Sequence, residues 1–204
     1  MKIRTLALSL TLAAASAAWT ADPPVKNDSK LSDGSRLHIE ATAVDLYASK
    51  TVLKGNAYIK VISATGSETF EGAADKIVIT FVAKSDAKQP GQGSIKAADL
   101  IGSPHLTYVT KDPSTGVLVK TTATSTSATF DGKERKAYLK GNVKIVNENP
   151  ALFDGPAVMT GDEATVNLKP KLGPDEPLFS IKSSPGVSRI EVTPKPKEEE
   201  KAKK

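Results

Sequence analysis

The sequence predicts an all-β protein of stacked antiparallel strands, and three observations carry that expectation. Apolar and polar residues alternate with a period of two along several segments, the pattern of strands dry on one face and wet on the other. Val, Ile and Thr are abundant, Gly and Pro are frequent, and no stretch holds a helical period. One stretch, Leu53-Lys54-Gly55-Asn56-Ala57-Tyr58-Ile59, recurs as Leu139-Lys140-Gly141-Asn142-Val143-Lys144-Ile145.

The strands follow in order along the chain. Residues 37–47 form a first strand that places Ile39 and Ala41 on its dry face. In the first copy of the repeat, Leu53, Gly55, Ala57, Ile59 and Val61 point one way, and Lys54, Asn56, Tyr58 and Lys60 the other. The next strand sets Ile77, Ile79 and Phe81 against Lys76, Val78 and Thr80. Residues 106–109 and 117–119 flank Asp112-Pro113-Ser114-Thr115-Gly116, turn chemistry that makes them a hairpin. In the second copy, Leu139, Gly141, Val143 and Ile145 oppose Lys140, Asn142 and Lys144. Ala164, Val166 and Leu168 then oppose Glu163, Thr165 and Asn167. Residues 178–181 and 189–192 are the last candidate strands, and residues 85–92 and 169–177 read as loops.

The repeat extends beyond its core. Ala43-Val44-Asp45-Leu46-Tyr47 precedes one copy and Ala128-Thr129-Phe130-Asp131 the other. A strand opened by Ala74-Asp75 follows the first copy, and one opened by Gly161-Asp162 follows the second. Aligned features in one order mean stacked copies of a single supersecondary unit. The Gly-Asn pair lies within a strand, so it reads as a bulge or sharp bend, and small residues at Ala41, Gly55, Ala57 and Gly141 leave room on the dry face.

The ends carry other signals. Residues 1–21 have a positive head, a short apolar run and an Ala15-Ser16-Ala17 cleavage pattern, which reads as a cleavable signal peptide. The run is shorter than the roughly 20 apolar residues of a spanning helix. Residues 22–36 read as a flexible segment, 37–192 as one β domain, and 193–204 as a disordered charged tail. There is no cysteine, so neither a disulfide nor a lipid-modified cysteine anchor is expected. The formal charge of +5 includes the basic head and the Lys-rich tail, so the body is closer to neutral.

No catalytic constellation emerges, and no cofactor or metal is implied. His38 and His105 are the only histidines and have no partners at metal-ligand spacing. Asp75 and Asp162 hold equivalent places in the repeat, which favours a shared turn role, through bonds to local backbone N–H groups, over acid/base work. The Ser- and Thr-rich residues 121–129 contain no nucleophile elbow, and there is no phosphate loop. Lys54, Lys60, Lys140 and Lys144 lie on polar faces, either solvated or open to lipid headgroups. Few aromatic residues and no nucleic-acid motif argue against binding RNA or DNA.

The arrangement of Ala-x-x-x-Tyr, Leu-x-Gly-Asn-Ala/Val-x-Ile and a strand opened by Ala-Asp or Gly-Asp resembles the OstA-like repeat over residues 39–168. That repeat belongs to the periplasmic lipopolysaccharide-transport family (LptA, LptC and the N-terminal domain of LptD). The resemblance implies an open β-jelly-roll with an internal apolar groove. It also implies a periplasmic carrier or bridge that shields acyl chains of lipopolysaccharide, or a related glycolipid, between inner and outer membrane. The groove candidates are then Ile39, Ala41, Leu53, Ala57, Ile59, Val61, Ile77, Ile79, Phe81, Leu139, Val143, Ile145, Val166 and Leu168. The partners implied are like subunits and inner- and outer-membrane transport components, joined through edge strands. Two alternatives stand beside it: a structural β-scaffold without lipid cargo, and an LptC-like membrane-anchored subunit of the same system.

Overall fold

The computed structural model describes residues 23–82, 94–112, 116–169, 172–173, 175–193 and 195. The expected signal peptide, most of the charged tail and the whole 85–92 loop lie outside the described residues. The described residues form a single antiparallel sheet of 13 strands. In chain order these are β1 (Val25–Lys30), β2 (Arg36–Ala41), β3 (Ala43–Leu46), β4 (Lys50–Ile62), β5 (Glu68–Phe81), β6 (Ile95–Ile101) and β7 (His105–Lys111). They continue as β8 (Leu118–Thr124), β9 (Ser127–Asp131), β10 (Lys136–Glu148), β11 (Ala157–Asn167), β12 (Phe179–Lys182) and β13 (Arg189–Glu191).

Register shows how one sheet becomes two leaves. Each of the long strands β4, β5, β10 and β11 pairs with a different short strand on either side of its midpoint. β4 takes β3 at residues 51–54 and β2 at 58–62. β5 takes β7 at 68–73 and β6 at 76–81. β10 takes β9 at 136–140 and β8 at 144–148, and β11 takes β13 at 158–160 and β12 at 163–166. The first leaf therefore contains β1, β2, β7, β8, β13 and one half of each long strand. The second contains β3, β6, β9, β12 and the other halves. Pairs β7–β8 and β6–β9 join the two repeats within their respective leaves.

The crease between the leaves is built by the repeated Gly-Asn pair. In β4 the register passes from Lys54↔Lys76 to Ala57↔Ala74, so Gly55 and Asn56 stand opposite Asp75 alone. In β10 it passes from Lys140↔Glu163 to Val143↔Gly161, so Gly141 and Asn142 stand opposite Asp162. All four bulge residues are left-handed, with φ of 69°, 47°, 76° and 49°. Gly adopts that conformation without cost and Asn tolerates it better than most residues. Space is equally restrictive: a Cβ on Gly55 would lie 2.9 Å from Thr42 Oγ1, and one on Gly141 2.5 Å from Thr126 Oγ1. Both threonines sit at the break between short strands and donate their N–H to the bulge glycine carbonyl, at 2.9 and 2.8 Å. The bulge expectation holds. The glycines do not widen a groove, as their parity had suggested; they let the next strand's threonine close against the bend.

The aspartates opposite the bulges also act across strands and not locally. Asp162 Oδ2 accepts the N–H of Ser184 at 2.9 Å, and Asp75 lies over Gly102, whose Cβ position it already fills.

Inward side chains of both leaves form one core, centred on Leu53, Ile59, Ile77, Ile79, Leu100, Leu139, Val143 and Ile145, each under 2% exposed. At Gly72 of the first leaf a Cβ would lie 2.7 Å from Leu100 of the second, so the leaves approach as closely there as glycine allows.

Two expectations change at the ends. The segment read as flexible contains β1, which pairs with all of β2 in register. It has almost no apolar content to bury. It is held by the backbone ladder and by complementary charges, Lys26–Glu40 at 3.0 Å and Asp28–His38 at 2.7 Å, with His38 also 2.9 Å from Glu40. These acids, Glu40 first, raise the His38 pKa. The turn after it, Ser32-Asp33-Gly34-Ser35, tucks Leu31 into the core at 4% exposure. The strand expected at 37–47 is broken at Thr42, where β2 passes to β3.

If the crease depends on these bulges, Gly141→Ala should lower the melting temperature more than Gly66→Ala. Both sites have positive φ, so each loses about 1–2 kcal/mol from the left-handed backbone. Gly66 has open space around it, and Gly141 meets Thr126. Equal shifts in thermal denaturation of the two variants would show that the Thr126 contact is unimportant.

Candidate functional site

The two leaves diverge away from the crease, and the inner faces meet less completely at the open margin. One cavity there, of about 130 Å³, is lined by Ile59, Val61 and Phe70 of the first leaf and Ala98 and Phe130 of the second, among others. Phe70 and Phe130 stack across it with ring centroids 5.8 Å apart. A second cavity, of about 480 Å³, lies beside Val119, Thr121, Asn147, Val166, Leu172 and Leu178. Tyr108 and Leu168 are in the walls of both.

A polar clasp crosses this margin. Glu68 opens β5 in the first leaf; Arg135 sits in the β9–β10 turn of the second, with φ of 53°. Arg135 Nη2 donates to Glu68 Oε2 at 2.7 Å and to the Leu168 carbonyl at 3.1 Å, while Arg135 Nε donates to that carbonyl at 3.2 Å. Tyr108 of the first leaf donates its hydroxyl to Glu68 Oε1 at 3.0 Å and lies 3.4 Å from the Leu168 carbonyl. Leu168 N–H returns a bond to the Arg135 carbonyl at 2.8 Å. Burial, with the Glu68 charge beside it, pushes the Tyr108 phenol up to about 12. It therefore stays a neutral hydroxyl donor throughout the physiological range. The Glu68 side chain is only 13% exposed, and each of its oxygens accepts one of these bonds.

The structure brings all fourteen groove candidates together. Thirteen are buried in one cluster, and Val61 packs against it half-buried. They divide by position. Ile59, Val61, Val166 and Leu168 line the two cavities. Ile39, Ala41, Leu53, Ala57, Ile77, Ile79, Phe81, Leu139, Val143 and Ile145 lie in the packed cluster near the crease and along the leaves.

Asn167 was expected on the wet face and is instead 5% exposed. β11 ends there: its N–H bonds the Leu178 carbonyl at 2.9 Å, and its Oδ1 accepts the Lys169 N–H at 3.2 Å. The strand's alternation has given way to a cap on the following loop. The lysines of the polar faces do lie outside. Lys54 pairs with Asp45 at 2.6 Å, Lys60 with Glu71 at 2.8 Å and Lys140 with Glu163 at 3.8 Å, all on the outer surface and away from the cavities. Among the described residues no group of His, Cys, Asp and Glu could hold a metal ion.

The sequence reading missed the clasp, because Glu68, Tyr108, Arg135 and Leu168 come from four separated segments with no shared motif. It also stopped the inward row of β10 at Ile145; continuing the alternation would have reached Asn147.

No family model and no curated protein matches the chain. Among solved structures it is similar to LptH from Pseudomonas aeruginosa, the LptA-homologous periplasmic component of the conserved lipopolysaccharide transport device. The match has a TM-score of 0.50 at 11% sequence identity, and covers 78% of this chain and 95% of that one. The chain thus shares the all-β fold of that component.

The clasp makes a measurable difference to access. With no native cysteine, a Val61→Cys thiol is a unique probe of the smaller cavity. Adding Arg135→Ala should raise its labelling rate several-fold at constant pH. Unchanged labelling would mean that the clasp does not control the margin.

Proposed function

We propose that the chain is a periplasmic lipid carrier or bridge component of the OstA-like type, without catalytic activity. It would shield acyl chains of lipopolysaccharide or a related glycolipid during passage from inner to outer membrane. The observation that carries this reading is the pair of cavities between the leaves, the smaller walled mainly by apolar side chains and the larger by apolar and polar ones, with a clasp instead of a strand across the margin. A sheet meant only to fold could close that margin with apolar side chains. Here it is crossed by the Arg135–Glu68 ion pair and the Tyr108–Leu168 contact, which can be exchanged for bonds to water when the leaves part. Each methylene moved from water into such an interior gains ~0.8 kcal/mol. The fold shared with LptH supports the family reading.

The closed-scaffold reading has one observation in its favour: most of the groove candidates are already packed against one another. The two readings separate by photo-crosslinking in cells. A crosslinking residue at Val166 or Ile59 should capture a glycolipid, one at Ile79 should capture little, and one at Lys60, on the outer face, none. Capture at none of these positions would favour the scaffold.

Assembly through edges belongs to the same proposal. Of the strand expected at residues 37–47, the first half is covered, because β1 pairs with β2. In the second leaf β3, the other half, is left uncovered among the described residues and exposes Leu46 at 59%, with Tyr47 just beyond it at 48%. At the opposite end β13 exposes Ile190 at 65%. Head-to-tail pairing between these ends would give a ladder of sizes, since the contact does not close. Ile190→Pro should suppress that ladder in size-exclusion at rising concentration while leaving the melting temperature nearly unchanged. A wild-type protein that stays monomeric at every concentration, alone and with membrane partners, would remove the bridge from this reading.

A further inference from the structure

Two long strands end in asparagines at the open margin, one in each leaf. Asn149 follows β10 in the first leaf, and Asn167 ends β11 in the second. Both are more than nine-tenths buried, at 8% and 5% exposure. Each uses its side-chain oxygen locally. Asn149 Oδ1 accepts the Ala151 N–H at 3.0 Å, and Asn167 Oδ1 accepts the Lys169 N–H at 3.2 Å. Only the oxygen can meet a backbone N–H, so these bonds fix the orientation of each amide. The Nδ2 groups are left over. Among the described residues neither has an acceptor, and neither is sealed from open space, since Asn147 Oδ1 is the one enclosed and unpaired side-chain atom. An aspartate would hold the same turn without the extra donor, so the fold does not use the amide end.

Both asparagines line the larger cavity, which at about 480 Å³ falls within the ~300–1,000 Å³ of ordinary ligand sites. Its other walls are mixed. Val166, Leu172 and Leu178 are apolar, and Lys111, Asp112 and Lys169 are charged. A plain acyl chain would displace water from the amides and charges and give nothing back. A phosphate would suit the lysines and amides, but Asp112 repels it and the aliphatic wall offers it nothing. A sugar ring matches both kinds of wall: its hydroxyls accept and donate around the edge, and its faces carry C–H groups.

We propose that the larger cavity is a sugar-binding site, in which the Nδ2 groups of Asn149 and Asn167 donate to saccharide oxygens from opposite leaves. The inference goes beyond the carrier reading, because the same chemistry is offered by the headgroup of a glycolipid and by a free glycan.

The side-chain amide signals of Asn149 and Asn167, assigned by NMR in the mature full chain, read the site directly. The probes are methyl and octyl glycosides of glucose, galactose and glucosamine, with octyl tetraoxyethylene ether as the sugar-free control, all below their micelle concentrations. At least one sugar should shift both amide signals, and the ether should not. Binding of its octyl glycoside about tenfold or more tighter than its methyl glycoside would identify a lipid headgroup. Equal binding of the two would identify a free glycan, upholding the sugar site and counting against the carrier reading. Asn149→Asp and Asn167→Asp keep the oxygen that caps each turn and remove the donor. Each should weaken the sugar about fivefold, the worth of one net hydrogen bond. No shift with any glycoside, or equal shifts with the ether, would overturn the inference and leave the amides to water, with the carrier reading untouched. Should a variant not fold, the wild-type shifts decide.

Discussion

The left-handed Gly-Asn bulge is the constraint on which the rest of the structure depends. A long twisted strand has no reason to change direction at its centre, and four of them would give an open sheet with one wet and one dry face. Two consecutive residues at positive φ, opposed by a single aspartate, turn each long pair and bring the dry faces together. Thr42 and Thr126 carry the bend into the neighbouring strand by bonding the glycine carbonyl. The core, the cavities and the clasp all follow from that turn, since none has a partner surface until the leaves face each other.

Packing varies in a gradient from the crease to the margin. Near the bend, Gly72 meets Leu100 at the limit of approach, and the large aliphatic residues are fully enclosed. At the margin, inward positions become polar: Glu68, Thr121, Asn147 and Asn149 replace the aliphatic residues found nearer the bend. Interior polarity of this kind weakens the fold locally, because each group needs a partner that apolar packing would not. The molecule thus concentrates stability at one side and adaptability at the other.

The sequence made the strands and their faces legible because alternation and repetition are local. Leu53, Ile59, Val143 and Val166 could be assigned inward from parity alone, and the structure has each of them buried. The Gly-Asn bend was legible because it occurs twice within strand patterns. What local pattern did not disclose was where parity changes: β5 and β11 alter their inward register across Asp75 and Asp162, visible only once the partner strands are known. β1 escaped because charge complementarity with Glu40 and His38, not hydrophobicity, matches it to its neighbour. The clasp escaped because long-range ion pairs leave no periodic trace.

The crease also makes the molecule modular. Both copies use the same pieces: a threonine at a strand break, a Gly-Asn pair, an aspartate opposite, and a short strand on each side. Neighbouring units join through a backbone ladder in each leaf, β6 to β9 and β7 to β8, and through side chains such as the Phe70–Phe130 stack and the Glu68–Arg135 pair. A further unit inserted at that seam would meet the same ladders it replaces and would need only to continue the same inward row of side chains. Length along the crease is therefore a parameter that gene duplication can alter without redesigning the cross-section, as in a trough lengthened by adding identical segments.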